Sequence, residues 1–169
     1  YNSAAWRGTW WGEGGGVLIN QGVHYLDLLQ WFAGLPVKIY AWADTFKHQI
    51  EVEDRVDAIF EYQNGARGYV HVNTIETPGI DRIELCGTKG KLIYDYDHKV
   101  KLAKVTPPID EFIGSSPEMW GSPQVSWEPV EPPPATESDH KLLIRDFANS
   151  ILADTQPAIP GEEGIKSME

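Results

Sequence analysis

The chain has 169 residues, of which 23% are charged and 41% hydrophobic, the makeup of a globular protein of one domain or of a domain with an appendage. Its formal net charge of −11, with no clustered Lys/Arg stripe, argues against nucleic acid as a partner, because a phosphate backbone needs a basic footprint. No apolar run approaches the about 18 residues of a membrane span, and the single cysteine, Cys86, offers neither an internal disulfide nor a paired-cysteine zinc site.

One unpaired cysteine suits a reducing compartment, so a cytoplasmic location is expected. The chain opens on Tyr1-Asn2-Ser3 without Met and stops at Ser167-Met168-Glu169, where a new segment is beginning. It reads as a piece of a longer protein, so a missing targeting signal carries little weight.

Tyr1 to Gly16 hold three tryptophans (Trp6, Trp10, Trp11) among glycines and small residues, and read as an ordered loop. The run Gly12-x-Gly14-Gly15-Gly16 is not a dinucleotide fingerprint. That motif follows an apolar strand and needs a glycine where Val17 stands. No nucleotide site is visible, and cofactor-binding residues are expected to be none in this chain.

From Gly14-Gly15-Gly16 an apolar segment runs to Phe32 and ends at Gly34-Leu35-Pro36, the brackets of a helix. At about 100° per residue, Leu18, Gly22, Tyr25, Leu26, Leu29, Phe32 and Ala33 share one side. Asn20, His24 and Asp27 fall together opposite, at spacings that make neighbours on a helix. Two readings fit this patch. One is a solvated face with an ordinary surface histidine, as on any amphipathic helix. The other is one wall of a pocket, with Trp31 on the polar side and the earlier tryptophans as aromatic neighbours.

After Pro36 the period changes. Val37 to Thr45 alternates as a strand, and Glu51-Val52-Glu53-Asp54 reads as an acidic loop. Arg55 to Gln63 places Val56, Ala58, Phe60 and Tyr62 on one face. Asn64-Gly65 is a strong hairpin signal, and Ala66 to Glu76 returns with Tyr69, His71 and Asn73 on the face opposite Val70 and Val72. Asp81 to Cys86 and Lys91 to Tyr96 flank a second hairpin at Gly87-Thr88-Lys89-Gly90. Val100 to Val105 reads as an edge strand guarded by Lys99, Lys101 and Lys104.

Residues 106–137 form a Pro/Trp-rich stretch that reads as a long surface loop. Ser138-Asp139-His140 then opens a second helix with Leu142, Leu143, Phe147 and Ile151 along it, and Pro160-Gly161-Glu162-Glu163 starts a third. The expected fold is α+β: an open-faced, mainly antiparallel sheet of about six strands, with helices packed on one face. Residues 1–169 are expected to act as a single domain.

His24 is the candidate acid/base, since an imidazole titrates near neutrality and can take a hydroxyl proton. Asn20 can bond the ring or a substrate hydroxyl; Asp27 can set the tautomer or serve a structural bond. Arg7 can clamp an anionic group bidentately or brace its loop. His140, in the first turn of its helix, can line a pocket or face solvent. His71 reads as a packing or interface residue, and His48 and His98 as loop residues. The sequence contains no motif for nucleophilic or metal catalysis, and no metal is expected.

These segments resemble the C-terminal domain of the Gfo/Idh/MocA family, the glucose-fructose oxidoreductase and inositol dehydrogenase class. The resemblance rests on Trp6-Arg7-Gly8-Thr9 and Gly14-Gly15-Gly16-Val17-Leu18-Ile19-Asn20-Gln21-Gly22-Val23-His24-Tyr25-Leu26-Asp27. It extends to Gly87-Thr88-Lys89-Gly90, His140-x-x-Leu143-x-x-Asp146-Phe147 and Pro157-x-x-Pro160-Gly161-Glu162-Glu163-Gly164. It implies the substrate-binding and oligomerisation domain of a two-domain enzyme. NAD or NADP would be bound mainly by a Rossmann domain absent from this chain.

The implied reaction passes a hydride between a sugar, cyclitol or polyol hydroxyl and the nicotinamide. His24 is the implied catalytic histidine. Asn20 stands where the family often carries aspartate, and an amide cannot raise the histidine's pKa by charge. Arg7, Trp6, Asp27 and His140 are the implied substrate-side residues. A homo-oligomer, dimer or tetramer, is implied through the exposed sheet face. The rival reading is a non-catalytic carbohydrate-binding or assembly domain, and the fragment alone is expected to be inactive.

Overall fold

In a computed structural model of the chain, the described residues are 1, 4–95, 99–117, 119–131, 134 and 138–169. Tyr96 and His98, read from sequence as a strand end and a loop residue, lie outside them. The chain forms two compact units, Tyr1–Thr77 with Asp139–Glu169, and Pro78–Ser138. The fold is α+β, and the described residues form seven strands in two antiparallel sheets that stay open.

The first unit contains α1 (Trp10–Glu13), a π turn (Leu18–Gly22), α2 (Val23–Ala33), β1 (Lys38–Asp44), β2 (Arg55–Glu61), β3 (Arg67–Asn73), α4 (Asp139–Ala153) and α5 (Gly161–Ile165). Strand β2 lies between β1 and β3. Its alternation is the clearest in the chain: Val56, Ala58 and Phe60 are buried while Arg55, Asp57, Ile59 and Glu61 are not. Ala58, Phe60 and Tyr62 form the core, and Leu26 and Leu29 of α2 pack on it with Val70 of β3. One sheet face thus lies under a helix, which is what the alternation of apolar residues demands.

The opposite face is read from the register. Tyr40, Ile59 and Tyr69 stand side by side, as do Trp42, Asp57 and His71. Between β2 and β3, Gly65 takes a φ of +84°, a conformation that favours glycine, and Asn64 Oδ1 accepts the Ala66 N–H at 3.0 Å.

The second unit contains β4 (Ile83–Gly87), β5 (Gly90–Tyr94), β6 (Val100–Thr106), α3 (Ile109–Ser115) and β7 (Gln124–Val130). Two expectations change here. Residues 106–137 are not a bare loop, since they hold α3 and β7. Strand β6 is not an edge: it lies between β5 and β7. Its Lys104 is paired with Glu128 of β7 at 2.7 Å, so a lysine that reads as an edge guard is a cross-strand partner. The seventh strand is masked in the sequence because Gln124-Val125-Ser126-Trp127-Glu128-Pro129-Val130 carries a proline, which usually demotes a strand. Pro129 sits on β7, an edge strand of its sheet that is paired on one side only.

The segment before α2 also differs from expectation. The tryptophan-rich loop contains the four-residue helix α1, capped by Thr9, whose hydroxyl accepts the Gly12 N–H at 3.2 Å. The expected regular helix from Leu18 starts instead with a π turn.

Candidate functional site

The acidic loop Glu51-Val52-Glu53-Asp54 organises the region around the glycine run. Each of its three carboxylates accepts backbone N–H groups from a different segment. Glu51 takes the N–H of Trp10 at 3.1 Å. Glu53 takes those of Gly16 and Leu18. Asp54, fully buried, takes those of Phe46, Lys47 and His48 at 2.7, 2.9 and 2.8 Å, and its Oδ2 lies 3.1 Å from His48 Nδ1. Burial alone would raise the pKa of Asp54. The His48, Phe46 and Lys47 N–H groups and the His48 ring outweigh it and hold the carboxyl well below the usual range.

Close approach explains the last of the three glycines. The Gly16 backbone lies against Glu53, and a Cβ at position 16 would sit 1.9 Å from the Glu53 carbonyl oxygen. Val17, fully buried, donates its N–H to that same carbonyl at 3.0 Å.

Asn20 lies inside the π turn. Its Nδ2 donates to the Gly16 carbonyl at 3.1 Å, and the Gly15 carbonyl lies 3.5 Å away. A π turn closes through i→i+5 bonds, one residue more than an α turn. The i, i+4 alignment of Asn20 with His24 expected for a regular helix therefore does not carry across the turn. His24 and Asp27 both lie beyond it, in α2, and both are exposed, on the side away from Leu26 and Leu29. Asp27 Oδ1 accepts from the Ser167 hydroxyl and lies 3.5 Å from Gln30 Nε2, so its partners are structural.

Arg7 Nε lies 3.6 Å from Glu13 Oε1, and the guanidinium stands 5.6 Å from the centre of the Trp6 ring. Glu13, nearly buried, also accepts the Gly8 N–H. Arg7 thus braces its own loop. His140 is exposed in the first turn of α4, and among the described residues no hydrogen bond or ion pair joins it to His24. Trp31 is 72% exposed and tilts against Phe32, with ring centres 5.3 Å apart.

A cavity of about 440 Å³ opens between α2, the inner face of β1–β3 and the segment 166–169. Leu26, Leu29, Phe60 and Val70 give it an apolar lining, and His24 is not among the residues that line it. The cavity and the His24 patch are thus on different sides of α2.

Residues 1–93 match the GFO/IDH/MocA C-terminal domain, a stretch from the tryptophan-rich segment through the glycine run and α2 into β5. The chain belongs to this family. No curated protein matches its sequence. Among solved structures it is similar to the WlbA dehydrogenase of Chromobacterium violaceum in complex with NADH and UDP-GlcNAcA. That pair shares 27% identity at a TM-score of 0.73, over 100% of this chain and 45% of the other. The WlbA dehydrogenase of Bordetella pertussis, with the same two ligands, shares 27% identity at a TM-score of 0.69, over 99% of this chain and 43% of that one. The aldose-aldose oxidoreductase of Caulobacter crescentus shares the fold at 21% identity and a TM-score of 0.70, over 96% and 45% of the two chains. The chain spans less than half the length of each.

For a Gfo/Idh/MocA domain, the glycine run needs one test: whether it fits the phosphates of a dinucleotide. It does not fit. The N–H groups of Gly16, Val17 and Leu18 all end on Glu53, and its carboxylate stands where a phosphate would have to sit. Among the described residues no group of three or more His, Cys, Asp or Glu is placed to hold a metal ion, and no helix is long and apolar enough to cross a membrane.

Glu53 and Asp54 are what sequence reasoning missed. The available signal was a glycine run opening a helix with no Ser, Thr, Asp or Asn beside it to serve the first N–H groups. Such a helix needs an acceptor from elsewhere.

Proposed function

We propose that the chain is the substrate-binding and oligomerisation domain of an NAD(P)-dependent oxidoreductase acting on a hydroxyl of a sugar, cyclitol or related polyol. The observation that carries this reading is family membership combined with His24, exposed on α2 just beyond a backbone turn that is held from outside the helix. The two WlbA dehydrogenases, solved with NADH and a nucleotide sugar, support a sugar-type substrate.

A nicotinamide cofactor would be held mainly by a nucleotide-binding domain outside this chain, and would supply the hydride donor or acceptor for the substrate carbon. His24 takes the proton of the substrate hydroxyl as that carbon is oxidised, and returns it in the reverse direction. Asn20, Arg7, Trp6, Asp27 and His140 are the substrate-side residues of this reading. Trp6 offers an aromatic face, while Arg7 and Asp27 act from positions fixed by Glu13 and Ser167. Cytoplasmic residence belongs to the same reading, since Cys86 is an exposed free thiol.

The open face of β1–β3 serves self-association. Tyr69 is 83% exposed and Trp42 61%, and Tyr40 lies in the same row as Tyr69, so an aromatic surface lies open on the side away from α2. Replacing Tyr69 and Trp42 together with glutamate is expected to shift the protein to monomers in sedimentation velocity. An unchanged oligomer would reject this surface.

The reaction is tested with His24→Ala in the full-length protein. Turnover with a sugar or polyol substrate is expected to fall about 1,000-fold with nicotinamide affinity unchanged. A folded variant with full turnover removes His24 from the chemistry. The 169-residue chain by itself is expected to bind no NAD by calorimetry; tight binding would overturn the division of labour.

A further inference from the structure

The proposed site depends on a residue 37 positions away from the glycine run in sequence. Both carboxylate oxygens of Glu53 lie 3.0 Å from the Gly16 nitrogen, Oε1 lies 3.1 Å from that of Leu18, and the Glu53 carbonyl accepts from Val17 at 3.0 Å. Three consecutive N–H groups at the head of the helical segment end on one residue. Helices begin with unpaired donors that a side chain just before them usually serves. Here glycines stand at those positions, so the cap arrives from the loop between β1 and β2, and it carries the negative charge that a helix N-terminus favours.

The cap fixes more than an end. The Gly16 carbonyl accepts from both the Asn20 backbone N–H and the Asn20 Nδ2, each at 3.1 Å, so Glu53 and Asn20 grip opposite sides of one residue. The π turn follows, and α2 continues from it without a break. Reversion of the π turn to the α form moves every later residue by one step in phase, about 100° around the axis. His24 lies just past the turn, so the direction of its ring depends on the turn being held.

From this we infer that Glu53 is the positioning residue of the site: it locks the π turn and thereby aims His24 at the substrate. The inference rests on the reading of His24 as proton acceptor, and the two can be separated. In full-length protein with its nicotinamide cofactor, Glu53→Ala is expected to lower kcat about 100-fold, while substrate KM and cofactor affinity stay within about twofold. Glu53→Gln keeps the length and one acceptor oxygen, and is expected to recover part of the loss. Amide exchange over residues 16–24 is expected to rise about tenfold in Glu53→Ala, with β2 and β3 protected as in the parent.

If His24→Ala is inactive and folded Glu53→Ala turns over normally, the inference fails and the catalytic reading stands. If His24→Ala is fully active, the catalytic reading fails, and the role of Glu53 in aiming a catalytic histidine fails with it. If Glu53→Ala does not fold, Glu53→Gln decides: faster exchange at 16–24 with reduced kcat supports the inference, and parental exchange and kcat overturn it.

Discussion

Replacing Asp54 with asparagine changes almost no volume, yet it is expected to cost about 3 kcal/mol of stability. The side chain is fully buried, with Oδ1 accepting from Phe46 and Oδ2 accepting from Lys47 and His48 and lying 3.1 Å from the His48 ring. An amide keeps one acceptor oxygen. In either orientation its NH₂ faces at least one backbone N–H, leaving a buried donor unpaired at about 1–3 kcal/mol. Loss of charge assistance on the remaining bonds contributes about 1 kcal/mol more. Urea unfolding followed by tryptophan fluorescence reads this directly. With a slope near 2 kcal/mol/M, the midpoint is expected to fall by about 1.5 M at pH 7.

The pH dependence supplies a second check on Asp54. Its folded pKa is depressed, so its contribution is fully present above the unfolded value of about 3.9 and is lost as pH falls toward the folded value. The gap between parent and variant is therefore expected to narrow below about pH 4. A variant within about 0.5 kcal/mol of the parent at pH 7 would refute the reasoning, because surface substitutions have effects of that size.

Gly16→Ala is expected to destabilise by at least about 3 kcal/mol in the same assay, since its Cβ meets a backbone carbonyl that cannot rotate away; a neutral result would mean the loops can part. Phe60→Ala, in the small core beneath α2, is expected to cost about 3–4 kcal/mol, and a loss under about 1 would show that the core lies elsewhere. His71 is held above the ordinary histidine value, chiefly by its bond to Asp57 at 2.6 Å, with partial burial opposing and Glu76 adding to it. A raised histidine pKa adds stability that is complete below about pH 6.5 and disappears as pH rises through the folded value. By NMR titration His71 is expected to titrate above 6.5, and Asp57→Asn to bring it down; no shift in the variant would remove Asp57 as the cause.

The parts of the fold that the sequence displayed are those where one residue's neighbours in sequence decide its fate. Strand β2 is legible because Val56, Ala58 and Phe60 alternate with Arg55, Asp57, Ile59 and Glu61, and one face is buried under α2. The second hairpin is legible because Gly87 and Gly90 bracket a two-residue turn and pair with one another. The π turn was not legible. Its residues, Leu-Ile-Asn-Gln-Gly, carry helical periodicity, and the extra residue in the turn shows only in backbone bonds. Strand β7 was hidden by Pro129, and the carboxylates of the acidic loop by their distance in sequence from the amides they serve. The candidate site shows the same division. His24 and Asp27 share the outer side of α2, as spacing implies, whereas Asn20 is turned back to Gly16 by a local bond that no periodicity reports.

A glycine run that opens a helix invites comparison with phosphate-binding loops, and the loop between β1 and β2 shows why this one differs. In a phosphate site the first N–H groups of the helix must remain free to meet an anion from solution. Here an internal anion already occupies them, and the glycine that permits it, Gly16, is shaped to the Glu53 carbonyl rather than to a ligand. The electrostatic advantage of the helix N-terminus is the same in both cases; what differs is whether the charge arrives with the substrate or with the fold. With the charge supplied by the fold, the attraction holds α2 in place at all times. His24 is then carried on a helix whose first turn is already fixed when a substrate arrives, so substrate binding energy need not order it.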